Sequence, residues 1–439
     1  MARTSTGASF SPATAVSVVV ANMIGTGVFT SLGFQLLEIQ SGFVLLMLWA
    51  VGGIAALCGA LCYAELGAAL PRSGGEYNFL GRIYHPGVGF VSGWISATIG
   101  FAAPTALAAI TFGAYLSSVF TALTPLPCAS ALVIGLTLVH MGTRRGSGRV
   151  QRWFTGLKVA FIATFCVLAL GLAGDGQPIS FLPASGDGAL LASGAFAVAL
   201  IYVNYAYTGW NAVTYLSSEL QNPQRVLPMV LATGTALVAL LYLLLNFTFL
   251  YAAPIDAMAG ELEVGYVAAR HVFGEIGAPV MGVALALLLI STASAMIMAG
   301  PRVLQVIGED FRAFQVLART NADGLPSVAI ATQSTLALVF IWTASFESIL
   351  VFAGFTLGAS TFLTVAGVFV LRLRQPELPR PYRLTAYPLP ALIYLAITGW
   401  TLFYIGWERP REALMGLALI GAGAAFYGFS RLLQSGGER

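Results

Sequence analysis

Asn22-Met23-Ile24-Gly25-Thr26-Gly27-Val28-Phe29 lies in the middle of the first long apolar stretch of the chain, residues 12–37. Two glycines flank a threonine there. A glycine costs about 1 kcal/mol against alanine inside a helix. Backbone that leaves the helix at bilayer depth persists only where it is buried in protein or lines a cavity. The sixth apolar stretch, 188–217, holds a second passage of this kind: Asn204-Tyr205-Ala206-Tyr207-Thr208-Gly209-Trp210-Asn211. A single interruption reads equally as close helix packing. Two of them, opening successive five-helix blocks, are the expected mark of an inverted-repeat transporter with its site between the halves.

Composition sets the environment. The 439 residues are 58% hydrophobic and 9% charged, with a mean hydropathy of +0.84. A soluble domain carries about 25% charged residues, so most of this surface faces lipid. Windows of ~20 apolar residues, the length that crosses a bilayer, fall near 12–37, 41–70, 87–120, 127–141, 153–173, 188–217, 226–252, 278–302, 327–344, 348–371, 386–406 and 411–433. These predict an all-α polytopic membrane protein with twelve transmembrane helices. The expected organisation is a cytoplasmic N-terminus (1–11), a first repeat of five helices (12–173), a second (188–372) and two further helices (386–433). The first stretch is too long for a cleavable signal peptide and has no small-residue cleavage site.

Arginine placement predicts orientation. Arg270, Arg409 and Arg411 fall on one side, and the remaining seventeen arginines, Arg3 through Arg439, fall at loops or helix ends on the other. Cytoplasmic loops are the ones enriched in Lys and Arg. Both termini are therefore expected in the cytoplasm and the chain in the plasma (inner) membrane. Net charge is +3, and nucleic acid is not an expected partner.

The interruptions suit an α-amino acid. Opening the first helix at Gly25, Thr26 and Gly27 would free amides at a half-helix N-terminus, whose partial positive charge suits a carboxylate. Carbonyls near Ile24, Tyr205 and Thr208 would accept from the ammonium. Nothing acidic lies within several residues of either interruption, which points to a neutral substrate side chain. Met23, Tyr207, Trp210 and Phe355 are candidate walls, and Tyr205 a candidate wall or gate.

Lys158 is the only lysine in the chain. An ionisable residue within a membrane helix is a functional hypothesis by default, and a lysine can release its proton where an arginine cannot. It is expected to couple the fifth helix to the moving ones. Cys58, Cys62 and Cys166 read as packing residues, and no metal or cofactor site is expected. His85, His140 and His271 fall near separate helix ends, so no membrane-embedded catalytic cluster is visible and an enzyme is not expected.

These same residues carry a resemblance. Met23 to Phe29 resembles the first-helix signature of the amino acid–polyamine–organocation superfamily. Cys62-Tyr63-Ala64-Glu65-Leu66-Gly67, continuing through Pro71-Arg72-Ser73-Gly74-Gly75-Glu76-Tyr77, resembles its second-helix and loop signature. Tyr207 to Asn211 with Glu219-Leu220-Gln221-Asn222-Pro223 and Arg225 is similar to the L-type amino acid transporter branch, as are Gly300-Pro301-Arg302 and Pro376 to Pro381. The resemblance spans roughly 12–385. It implies the leucine-transporter fold, with helices 1–5 and 6–10 inverted, helices 1 and 6 unwound, and alternating access. It also implies that Lys158 occupies the place of a sodium ion, with Ser291 and Ser294 nearby on the eighth helix. Ser294 stands where L-type members often place asparagine. Cys128 falls where animal members place the cysteine that links a heavy chain; the tight 46.0 kDa chain and terse loops look prokaryotic, so no heavy-chain partner is expected through it.

The expected function is sodium-independent secondary transport of neutral L-amino acids, by exchange or proton symport. The alternatives are exchange of cationic amino acids or polyamines on the same fold, and a non-transporting amino acid sensor. The expected N-terminus of about eleven residues and C-terminus of about six give a sensor little to signal with.

Overall fold

A computed structural model describes residues 11–436 except 73, 143–147, 221 and 323. Arg3, Arg144, Arg145 and Arg439 of the orientation argument, and Ser73 and Gln221 of the motifs, lie outside the described residues.

The described secondary structure is all helical. Its principal elements are α1 (Pro12–Met23), α2 (Gly27–Gln35), α3 (Gly42–Ala69), α4 (Glu76–Ile83), α5 (Pro86–Ile95), α6 (Ala102–Val119), α7 (Pro125–Gly142), α8 (Gly148–Leu172), α9 (Asp187–Leu191), α10 (Gly194–Tyr207), α11 (Pro223–Ala252), α12 (Ile255–Met258), α13 (Val264–Asp310), α14 (Ser327–Thr343), α15 (Phe346–Arg374), α16 (Leu389–Glu408) and α17 (Pro410–Gly436). Ten spans among the described residues are long and apolar enough to cross a membrane, α1 and α2 forming one of them and α5 and α6 another. Two shorter apolar helices, Gly194–Tyr207 and Ser327–Thr343, add to these.

Local chemistry sets the helix ends. Ser11, Ser41, Ser193 and Ser345 cap α1, α3, α10 and α15, each hydroxyl accepting from the amide three residues on. Such caps satisfy amides that have no partner within the helix. Proline at the start of α1, α5 and α11 loses no helical hydrogen bond there. Between α5 and α6 the backbone passes through a wide π turn at Ser96–Gly100, a form of irregularity frequent at functional sites.

The surface is inverted relative to a soluble protein. Trp153 and Trp407 are 79% and 78% exposed, and Ile276, Leu172 and Leu138 also face outward. Polar groups turn inward: Glu65, Glu76, Lys158, Asn246 and Gln333 are buried. An apolar belt of this size requires lipid against it.

Cys58, Cys62 and Cys166 are buried in the central hydrophobic cluster. Glycines of α3 admit its neighbours. A Cβ on Gly52 would collide with the Val203 side chain, and one on Gly53 would lie 2.9 Å from the Tyr207 hydroxyl. The pairing brings α10 against α3 and fixes where the second interrupted helix sits.

Candidate functional site

Both interrupted segments open where the sequence pattern predicts. Helix α1 ends at Met23, Ile24 caps it, and α2 restarts at Gly27 with Thr26 as its N-cap. The Gly25 amide turns back onto the Met23 carbonyl at 2.8 Å. Helix α10 ends at Tyr207, the Thr208 amide donates to the Tyr205 carbonyl at 2.9 Å, and Gly209 takes a φ of +108°. A 3-10 segment, Ala212–Glu219, follows.

The two openings touch. A Cβ on Gly27 would lie 2.6 Å from Ala206 Cα, and one on Gly209 would lie 2.6 Å from the Asn22 carbonyl oxygen. Only glycine allows backbones to meet this closely at both points. Tyr242 of α11 joins them from behind: its hydroxyl lies 2.6 Å from the Met23 carbonyl oxygen and 3.1 Å from that of Ala206.

Lys158 of α8 is 2% exposed. Its ammonium donates to the Ile24 carbonyl at 3.1 Å and to Thr292 Oγ1 at 2.9 Å, tying the end of α1 to α13. A buried charge is tolerable when hydrogen-bonded in this way. The α13 partner is Thr292, whereas Ser291 and Ser294 lie on the cavity wall, with Ser294 Oγ 2.9 Å from His140 Nε2.

A cavity of 1060 Å³ runs from the two openings to Arg72, Tyr77 and Arg302, on the side where most arginines lie. Its wall includes Met23, Gly25, Thr26, Gly27, Tyr205, Tyr207, Thr208 and Trp210. Phe34 stacks between Tyr202 and Phe346 at centroid distances of 5.6 and 5.8 Å. The Tyr115 hydroxyl bridges the Phe29 carbonyl and the Gly265 amide.

Several of the expected residues also carry contacts that the sequence does not show. Ile24 is buried with its carbonyl engaged by Lys158, so that oxygen is already in use as an acceptor. Phe355 lies outside the cavity wall, in a cluster with Tyr202, Tyr205 and Phe352. Tyr207 has its hydroxyl on the Trp49 carbonyl at 3.1 Å, and Trp210 packs edge-on against Tyr63. Gly27 is spoken for by Ala206, while a Cβ on Gly25 would meet nothing nearer than Thr292 Cγ2 at 3.6 Å. Gly25 is therefore the position at which a ligand can approach bare backbone.

Sequence reading misses Tyr242 and the acid Glu76. The Glu76 carboxylate accepts from Asn211 Nδ2 at 2.8 Å, three residues past Thr208, although the two are 135 positions apart in the chain. That separation hides the contact from any local pattern. A lone tyrosine in an apolar stretch gives equally little signal.

Two interrupted membrane helices meeting at one cavity are the arrangement expected of a membrane carrier. The family model described as amino acid permease matches residues 10–424, and the chain belongs to that family. It is similar to the mouse b(0,+)-type amino acid transporter 1, with 27% identity over 94% of this chain and 85% of that protein. The human protein of that name is 28% identical over the same shares. The mouse large neutral amino acids transporter small subunit 2 is 28% identical over 94% of this chain and 79% of its own. The chain is thus a multi-pass membrane protein of amino acid transport, and not an enzyme.

Proposed function

We propose that this protein is a sodium-independent secondary transporter of neutral L-amino acids, working by alternating access through exchange or proton symport. The observation that carries the reading is the meeting of the two interruptions at one cavity, with Gly25 leaving bare backbone at the α2 N-terminus. The first amides of a helix lack intrahelical partners and favour an anion. The substrate carboxylate binds there, at Gly25, Thr26 and Gly27. Its ammonium meets carbonyls of the second interruption around Tyr205 and Thr208, and Tyr205 covers the substrate.

Lys158 supplies the fixed positive charge between α8, α1 and α13 that a sodium ion would otherwise supply. Helices 1–5 and 6–10 form the two inverted halves. The arginine-rich side is cytoplasmic, so the cavity is open to the cytoplasm and the Phe34 stack closes the outside. The name of one mouse relative specifies large neutral amino acids, which supports a neutral substrate. A second reading, cationic substrates, is favoured by Glu76 on the cavity wall. The same relative is named a small subunit; Cys128 here is a part-buried free thiol, and we assign it no heavy chain.

The test is counterflow in proteoliposomes. Labelled L-leucine and L-alanine are expected to enter vesicles preloaded with neutral amino acids, equally in sodium and in choline. Competition by arginine or putrescine as strong as that by neutral amino acids would favour the cationic reading. A sodium requirement would overturn sodium independence.

A further inference from the structure

Two acids of one motif, Glu65 and Glu76, are both buried and are neutralised in opposite ways. Glu65 accepts from Arg372 at 2.8 and 2.6 Å, lies 3.6 Å from Arg380, and accepts from the Leu384 amide at 2.6 Å. Its charge is matched by arginine. Glu76 is 2% exposed and lines the cavity, yet its side-chain partners among the described residues are all neutral. Oε1 accepts from the Tyr63 hydroxyl at 2.7 Å and from Asn211 Nδ2 at 2.8 Å, and Oε2 accepts from the Ser360 hydroxyl at 3.0 Å.

Among the described residues, the groups facing Glu76 bring no cation to it. Tyr63, Tyr215 and Tyr394 are the titratable side chains that sense its charge, and all are phenols. The adjoining α5 is capped by His85, whose ring is turned onto the Gly87 amide. Arg72 lines the same cavity without an ion pair to Glu76 among the described residues. Burial pushes the Glu76 carboxyl up from the ordinary carboxylate range, as desolvation of an unpaired acid does.

The hydrogen-bond network can hold an added proton without losing a bond. Asn211 Nδ2 is an obligate donor, so Oε1 must remain an acceptor. Ser360 is a hydroxyl and can reverse. Its oxygen lies 3.2 Å from that of Ser92, with either atom able to donate. A proton from cavity water forms the O–H bond on Oε2, which then donates to Ser360, and Ser360 donates to Ser92. The carboxylate goes from charge −1 to neutral, and release returns the proton to cavity water.

We propose that Glu76 is the proton-carrying site of this transporter, loading and releasing one proton per cycle as Asn211 moves with the second interrupted helix. The inference rests on the amino acid transport reading and chooses proton symport within it. Asn211 follows the interruption that must move, and α15 supplies Ser360, so the proton reports on the distance between the two.

The test uses the full chain in proteoliposomes with a pH dye in the lumen and labelled L-alanine or L-leucine outside. With acid outside, wild type is expected to acidify the lumen as substrate enters and to accumulate it about tenfold per unit of pH gradient, the ratio for one proton per substrate. Glu76→Gln is expected to keep counterflow but to lose both lumen acidification and pH-driven accumulation. Wild-type counterflow without proton movement, or proton movement preserved in Glu76→Gln, would overturn the inference alone. Absence of counterflow in wild type would overturn the transport reading together with it. Should Glu76→Gln fail to fold, Ser360→Ala decides: the pH midpoint of uptake is expected to shift, and an unchanged midpoint counts against Glu76.

Discussion

Gly27 and Ala206 pack so closely that a Cβ on Gly27 would lie 2.6 Å from Ala206 Cα and 2.7 Å from its Cβ. Neither neighbour is the free end of a flexible side chain, so the two interrupted helices cannot both keep their places if Gly27 gains a side chain. Gly25 has no such obstacle. Gly25→Ala is expected to leave expression and thermal stability near wild type while weakening binding of L-leucine at least tenfold, because the methyl occupies the approach to the α2 amides. Gly27→Val is expected to lower stability as well. Scintillation proximity binding and a thermal-shift assay separate the two. Normal binding in Gly25→Ala would place the carboxylate elsewhere.

Lys158 should show its role in the cycle rather than in folding alone. Lys158→Ala removes the donor to the Ile24 carbonyl and to Thr292, leaving a buried carbonyl whose lost bond costs about 1–3 kcal/mol. Turnover is expected to fall strongly, with apparent affinity changing more on one membrane face than on the other. Lys158→Arg is expected to rescue poorly, since the larger planar guanidinium does not fit the place of the ammonium between the Ile24 carbonyl and Thr292. Flux measured from each side of oriented vesicles checks this, and a fully active alanine variant would reduce Lys158 to packing.

How far the sequence can be read divides along a physical line. Gly25, Thr26 and Gly27, and the Tyr205–Gly209 passage, are legible because glycine and polar residues at bilayer depth carry a cost that only function or close packing offsets. Lys158 is legible for the same reason. The use to which each group is put is not. The Ile24 carbonyl accepts from Lys158, Phe355 turns away from the cavity, and Gly27 serves helix contact. Such assignments depend on which of several nearby groups wins a partner. Tyr242 and Glu76 are hidden because their partners, Met23 and Asn211, lie 219 and 135 positions away.

Tyr205 lies on the cavity wall and packs in the cluster that holds Tyr202 and Phe355. Tyr205→Phe removes only the hydroxyl and is expected to slow uptake severalfold with little change in equilibrium binding. Tyr205→Ala opens the cover as well and is expected to slow transport more than it weakens binding. If binding falls as far as transport in both variants, the ring is a pocket wall and not a gate.

The outer closure rests on few contacts and should be easy to bias. Phe34 stacks on Tyr202 and Phe346, and the Tyr202 hydroxyl donates to Glu347, which also accepts from Arg409, both at 2.7 Å. The ion pair is partly exposed and contributes little. The two ring contacts are worth about 0.5–1.5 kcal/mol each beyond their buried area. On the proposed orientation these contacts close the outside, so Phe34→Ala should move the population toward the outward-open state by roughly tenfold for each 1.4 kcal/mol lost. Ile201 lies on the cavity wall and in the same cluster as Tyr202 and Phe346. An Ile201→Cys thiol, in a background with Cys128→Ser, is expected to react with an impermeant reagent from outside about ten times faster when Phe34→Ala is present. An unchanged rate would show that the stack does not hold the outside closed.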